Sequence, residues 1–318
     1  MGDRLMSAAK PLRVAVLLNR AAGNLDCDGG VKLSDGLSAA FEKHGIAAKL
    51  DFLSGADLQA GAQQTMERLT AGEFDAIVVG GGDGSIRTVA GVLAGTGVPL
   101  GILPLGTLNH FAKDLGMPAS LDEAIAVIAA GAVRSIDVGE VNGEIFINNS
   151  SIGVYPSLVV DRDRRRSLHG LGKWTAMALA IVRTLRRFPL RRLSVCADDC
   201  VEPYRSPCVF VGNNEYGLTG RGLGKRQNIE KGELCLYVAK QQSRLALFWL
   251  ACRSMLGWLD EARDLRILKI SRAQITSRTS RLLVALDGEV MMMRPPLHYR
   301  TRAGELRVFA PVAKPSEP

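Results

Sequence analysis

Residues 78–90 read VVGGGDGSIRTVA. A β-branched apolar run stops at three consecutive glycines. An Asp, a fourth Gly and a Ser then lead into a segment with helical spacing. Few local structures accept this order: it demands a strand, a tight turn and a helix, which is the repeating step of an α/β sheet. Glycine permits positive φ and close backbone approach. Consecutive amides in such a turn, backed by a helix N-terminus, suit phosphate oxygens. Asp83 would stand at the carboxyl end of the strand, where open α/β sheets place their ligands. A carboxylate there repels a bare phosphate, so it implies Mg²⁺ or a hydroxyl to be oriented. The plainer alternative is a tight turn in which Asp83 caps the helix. The pattern is neither G-x-x-x-x-G-K-[ST] nor G-x-G-x-x-G.

The surrounding chain extends the alternation. Residues 13–18, 47–53, 75–79 and 98–103 read as strands, and 58–69, 86–93 and 121–130 as helices. Ser120 with Glu123 forms a capping-box signature before the last of these. After about residue 134 the pattern becomes short strands, at 135–141, 144–148, 193–197, 208–212, 234–239, 273–277, 282–286, 297–302 and 306–309. Asn142-Gly143 and Asp287-Gly288 are hairpin signals among them. Two helices, at 172–187 and 244–259, interrupt the strands. The expectation is an α/β domain with a mainly parallel sheet over 11–135. A β-rich, sandwich-like domain over 136–311 and a tail at 312–318 would follow.

Composition narrows the function classes. The chain has 318 residues, 47% hydrophobic and 23% charged, which excludes a disordered, collagen-like or coiled-coil chain. Lys plus Arg number 40 against 32 acids, a surplus that points to an anionic partner. Aromatics are only 5%, too few for a base-stacking surface, so no nucleic acid is expected. No apolar run approaches the ~18 residues of a membrane span. The N-terminus lacks a signal-peptide stretch. The six Cys form no C-x-x-C pair and the four His form no cluster, so a cytoplasmic protein with reduced thiols and no transition metal is expected.

Two further stretches carry polar chemistry. Residues 104–113 read PLGTLNHFAK and form a second strand–loop–helix junction, placed by topology beside the first. Thr107 and Asn109 offer a hydroxyl and an amide for phosphate or ribose, or else simply start a helix. His110 reads as a packed or capping side chain. Near the end, Leu286-Asp287-Gly288-Glu289 is either a hairpin turn with a solvated Glu or the second half of an acid pair.

With these residues in view, the sequence resembles the diacylglycerol kinase catalytic family, the group that includes diacylglycerol and sphingosine kinases. Gly81-Gly82-Asp83-Gly84-Ser85 is similar to that family's G-G-D-G-T, with Ser keeping the hydroxyl. Residues 104–113 are similar to its P-L-G-T-x-N-[DH]-F-A-[RK] segment. Asn19 and Gly23 match its N-P-x-[SA]-G, and Asp287-Gly288-Glu289 its late D-G-E. The resemblance implies two domains with ATP in a cleft between them. Asn19, Gly81, Gly82, Gly84, Ser85, Thr107 and Asn109 would hold the nucleotide. Asp83 would act on phosphate-bound Mg²⁺ or the acceptor hydroxyl. Glu289 or Asp83 would be the general base, the former favoured. Arg20, Arg87-Thr88 and Lys231 depart from the family pattern, Lys231 standing where bacterial members place an Asp beside a structural Mg²⁺.

Residues 151–200 hold ten Lys or Arg and four Asp, most of the chain's surplus of +8. The basic 162–192 stretch flanks an apolar segment, which suits peripheral contact with an anionic membrane. The resulting expectation is an ATP-dependent, Mg²⁺-requiring lipid kinase acting on a diacylglycerol-like or sphingoid-base hydroxyl. Two alternatives are a kinase for a soluble acceptor such as NAD, and a nucleotide- or membrane-binding protein of the same fold without activity.

Overall fold

A computed structural model describes residues 11–22, 27–153, 193–198, 204–206, 208–217, 228–240 and 264–312, together with Arg226, Ser243, Ala246 and Trp249. The helices expected at 172–187 and 244–259, the basic 162–192 stretch and Gly23 lie outside the described residues or almost wholly so. The chain forms two compact units, Met1–Ser135 with Leu306–Pro318, and Ile136–Glu305.

The first unit alternates strand and helix. Its order is β1 (Arg13–Asn19), α1 (Cys27–Lys43), β2 (Ala47–Leu53), α2 (Leu58–Thr70), β3 (Ala76–Gly81), α3 (Asp83–Leu93), β4 (Leu100–Pro104), α4 (His110–Asp114) and α5 (Leu121–Ala129). The strands run parallel in the order β2-β1-β3-β4. Their registers bring Leu18 beside Gly80, and Gly81 beside Pro104. The central strands β1 and β3 are nearly continuous apolar runs because helices cover both faces of such a sheet. Val14, Val16, Leu18, Ile77, Val78 and Val79 are all 0% exposed. Each such side chain contributes roughly 1.5–3 kcal/mol on burial.

Helix α1 is absent from the sequence reading. Gly29, Gly30 and Gly36 dilute its propensity. Leu37 and Phe41, spaced i, i+4 and both buried, anchor it instead. Ser120 occupies the N-cap of α5 as expected but makes no side-chain capping bond, so the capping box itself does not form.

The second unit is antiparallel. One sheet runs β12 (Leu265–Ile270), β11 (Leu234–Ala239), β10 (Val209–Asn213), β7 (Asn149–Ile152), β14 (Leu282–Leu286), β15 (Glu289–Met293). The other joins β16 (Leu297–Phe309), β13 (Arg272–Thr276), β8 (Leu193–Ala197) and β9 (Tyr204–Ser206). The hairpin β5 (Val133–Val141) and β6 (Glu144–Phe146) pairs with β16. Val209, Val211, Leu236 and Val284 of one sheet share a core with Val195, Ile275, Leu297 and Tyr299 of the other. That is the expected sandwich. Asn142 and Gly143 take φ of 49° and 89°, the two-residue hairpin turn their sequence signals.

The structure differs from the sequence reading at four points. Residues 144–148 do not form one strand, because the Ile147, Asn148 and Asn149 amides all turn to the Asp287 carboxylate. Residues 297–302 and 306–309 are one strand rather than two. From Leu306 onward that strand belongs to the first unit, not the second: Val308 pairs in parallel with Leu100, and the Ala310 amide donates to the Ala132 carbonyl at 3.1 Å. Cys196 is disulfide-bonded, against the expectation of reduced thiols throughout, while Cys208 and Cys235 are in no disulfide.

Candidate functional site

In the first unit the carboxyl ends of β1, β3 and β4 bring three segments together. Strand β3 is buried to its last residue and meets α3 through Gly82, the N-cap, at φ −89° and ψ −177°. Asp83 is therefore the first helical residue, not the cap. Gly81 must lack a side chain, since a Cβ there would lie 2.6 Å from the Ser85 hydroxyl. That hydroxyl accepts from the Asn19 side-chain amide at 2.8 Å. The Asn19 Oδ1 in turn accepts from the Ala21 amide at 3.0 Å. The end of β1 is thus tied to the first turn of α3. The Thr88 hydroxyl donates back to the Gly84 carbonyl at 3.0 Å.

The second loop closes on itself. Asn109 is left-handed, at φ 49°, and its Nδ2 donates to the carbonyls of Pro104 (3.1 Å) and Gly106 (2.7 Å). Its Oδ1 is buried with no protein partner. Thr107 is exposed beside it, and His110 is exposed as well, contributing its backbone rather than its ring. Gly106 packs against Gly82 so closely that a Cβ on it would run into the Gly82 Cα.

Asp83 joins the two loops. One carboxylate oxygen accepts from the Phe111 amide at 2.9 Å, the other from the His110 amide at 3.1 Å. The carboxylate therefore lies at two positive helix ends, that of α3 on which it sits and that of α4 which it caps. A bare phosphate at the same spot would meet a negative charge already in place. An anionic ligand there needs a cation beside it or must approach from the side of Ser85, Thr107 and the glycine amides. Asn19, Gly81, Gly82, Asp83, Ser85 and Asn109 are thus assembled in one place, with Gly84 in the first turn of α3 and Thr107 on the adjoining loop.

In the second unit Asp287 and Gly288 take φ of 49° and 89° and turn β14 into β15. The Asp287 Oδ1 accepts from Asn148 (2.7 Å) and Asn149 (2.9 Å), and Oδ2 from Ile147 (2.8 Å). Glu289 opens β15 opposite Leu286 and is exposed. The hairpin reading of this motif is correct in geometry, and its aspartate has a holding role. Asp83 lies in the first unit and Glu289 in the second.

A buried polar network beside this hairpin escapes sequence reasoning. The Arg226 guanidinium donates to the Ile147 carbonyl (2.6 Å) and the Asn148 side chain (2.8 Å). Asn213, wholly buried, donates to the carbonyls of Asp137 (2.8 Å) and Ile147 (3.0 Å). Asp137 accepts from Asn214 (3.0 Å), Gly232 (2.6 Å) and Gly304 (2.9 Å). The available signal was the pair of Asn doublets, Asn148-Asn149 and Asn213-Asn214, at the ends of apolar strands. Burial holds the Tyr299 phenol well above its ordinary range, so it stays protonated against the Ser150 hydroxyl at 2.8 Å. At the position where the resemblance implies a structural cation, Lys231 lies 3.9 Å from Glu215, and the Asp137 carboxylate holds the loop through Gly232. Those residues do not fit a metal ion. Among the described residues no group of three or more His, Cys, Asp or Glu is arranged to hold one, and no helix is long and apolar enough to cross a membrane.

Residues 13–141 match the model of the diacylglycerol kinase catalytic domain. A diacylglycerol kinase of Mycobacterium tuberculosis is 32% identical over 185 residues, 56% of this chain and 58% of that protein. A probable YegS-like lipid kinase of Pseudomonas aeruginosa is 45% identical over 94 residues, 29% of this chain and 31% of its own length. The chain thus spans under two thirds of the curated relatives it matches. A solved diacylglycerol kinase structure from Bacillus anthracis str. Sterne superposes with a TM-score of 0.64 at 21% identity, covering 94% of this chain and 97% of that one. At that identity the match speaks for the fold. The matched segment contains both glycine loops and the Asp83 link between them.

Proposed function

We propose that the protein is an ATP-dependent, Mg²⁺-requiring lipid kinase that transfers the γ-phosphate to a lipid hydroxyl. Diacylglycerol-like, monoacylglycerol-like and sphingoid-base acceptors all suit the reading. The observation that carries it is the Asp83 carboxylate bonded to both His110 and Phe111, which locks two glycine loops into one surface at the carboxyl ends of parallel strands. The names of the M. tuberculosis and P. aeruginosa relatives support the lipid class.

Asn19, Gly81, Gly82, Gly84, Ser85, Thr107 and Asn109 are the proposed nucleotide contacts. Mg²⁺ supplies charge neutralisation on the phosphates when bound. Asp83 fits a place beside it, since a carboxylate that accepts two amide bonds keeps further acceptor capacity. Glu289 is the proposed proton acceptor: the attacking hydroxyl loses its proton to the carboxylate as its oxygen joins phosphorus and ADP leaves. Phosphoryl transfer asks little covalent help of a protein, so positioning carries most of the rate. A cytoplasmic protein touching an anionic membrane through residues 162–192 completes the proposal.

The test is mass spectrometry of lipids after incubation with γ-labelled ATP, Mg²⁺ and mixed bilayers, with NAD as a parallel acceptor. Label in a lipid supports the reading. Label in NAD alone, or ATP binding without transfer to any lipid, overturns it.

A further inference from the structure

The hairpin of β14 and β15 has a second face that the phosphoryl-transfer reading does not use. Among the described residues strand β15 is the last of its sheet, with no neighbouring strand on its outer edge. Its sequence, EVMMM, alternates across the pleat. Met293 packs into the sandwich core, and Met291 lies against it. Val290 and Met292 therefore take the opposite face, where Met292 stands opposite Leu283 of β14. Met292 is 59% exposed, one of only four large apolar side chains so exposed among the described residues. Val290 and Leu283 are half-buried beside it.

At the open end of this hairpin the charge is positive, while the two acids Asp287 and Glu289 stand at its turn end. Arg278, Arg281 and Arg294 stand exposed at the open end of the hairpin. The Arg281 guanidinium reaches the Met292 sulfur at 3.9 Å. Neither 276–286 nor 290–297 contains an acid. A flexible, polarisable apolar side chain with an arginine beside it and further exposed arginines near in sequence suits one kind of occupant: lipid acyl chains beneath anionic head groups. Glu289, at the turn end of the same hairpin, falls by that alternation on the face of Met291 and Met293, not on that of Met292.

We propose that the outer face of the β14–β15 hairpin docks on an anionic lipid surface, with Met292 and Val290 entering the interface and Arg281 and Arg294 on the head groups. The inference rests on the lipid-kinase reading for its purpose: docking would bring the protein to the surface that holds its acceptor. It does not rest on that reading for its test.

The test is co-sedimentation of the full chain, without nucleotide, with phosphatidylcholine vesicles with and without phosphatidylserine. The basic 162–192 stretch also attracts such vesicles, so variants decide. Arg294→Gln is expected to weaken binding to phosphatidylserine vesicles roughly fivefold at low salt and much less at high salt. Met292→Gln is expected to weaken it at both salt levels, and Met292→Trp to strengthen it. Phosphorylation of a short-chain, water-soluble acceptor should match wild type in all three. Unchanged vesicle binding in all three variants overturns the docking surface, whatever the kinase assay shows. Altered vesicle binding with no kinase activity toward any lipid supports the docking surface and overturns the kinase reading alone.

Discussion

The Asp83 carboxylate and the Phe111 amide, 28 positions apart in sequence, meet at 2.9 Å. With the companion bond from His110, the link makes the second glycine loop a fixed neighbour of the first. An asparagine at position 83 can accept only one of these bonds and would set an N–H against the other. Asp83→Asn should therefore lower stability by only about 1–2 kcal/mol, read as a shift in urea midpoint, while the fold persists. Complete unfolding of the variant would mean that the carboxylate holds far more of the unit than these two bonds.

Gly106 and Gly82 meet backbone to backbone. Gly106→Ala has no flexible side chain to displace, so the loops must part. The expected cost is about 1–3 kcal/mol, with weaker nucleotide binding by titration calorimetry. Gly36→Ala is the control. A Cβ there meets nothing, in the interior of α1, and a gain of roughly 0.5–1 kcal/mol is expected. Equal effects at the two positions would contradict the packing argument.

Asp287 accepts three consecutive amides, and Glu289 two residues later is exposed. The two acids should separate in experiment. Asp287→Ala leaves those amides unpaired and should lower the thermal midpoint, at about 1–3 kcal/mol or more. Glu289→Gln should leave that midpoint unchanged.

For Glu289→Gln the kinetic expectation is a fall in kcat of roughly a hundredfold with the KM for ATP little changed. A raised KM with unchanged kcat would assign the residue to binding instead.

The first unit was legible because its physics is local. Strands such as Val14–Leu18 are apolar throughout, and glycine stops them where the chain must turn. The hairpins at Asn142-Gly143 and Asp287-Gly288 were legible for the same reason. What was hidden depends on contacts remote in sequence. Nothing near Asp83 says that it binds amides at 110 and 111. Nothing near residue 147 says that Asp287 will draw three amides away from a strand. Helix α1 is held by Leu37 and Phe41 against the fold, not by propensity. The Asp137–Arg226–Asn213 network is built on bonds between residues 76 and 79 positions apart, which no local pattern reports.

The most direct measurement is the initial rate at which labelled γ-phosphate enters lipid in mixed bilayers, for wild type and Asp83→Asn at equal folded concentration. Measurable transfer by wild type and a rate lower by about a hundredfold in the variant are expected. Equal rates in the two proteins would contradict that expectation.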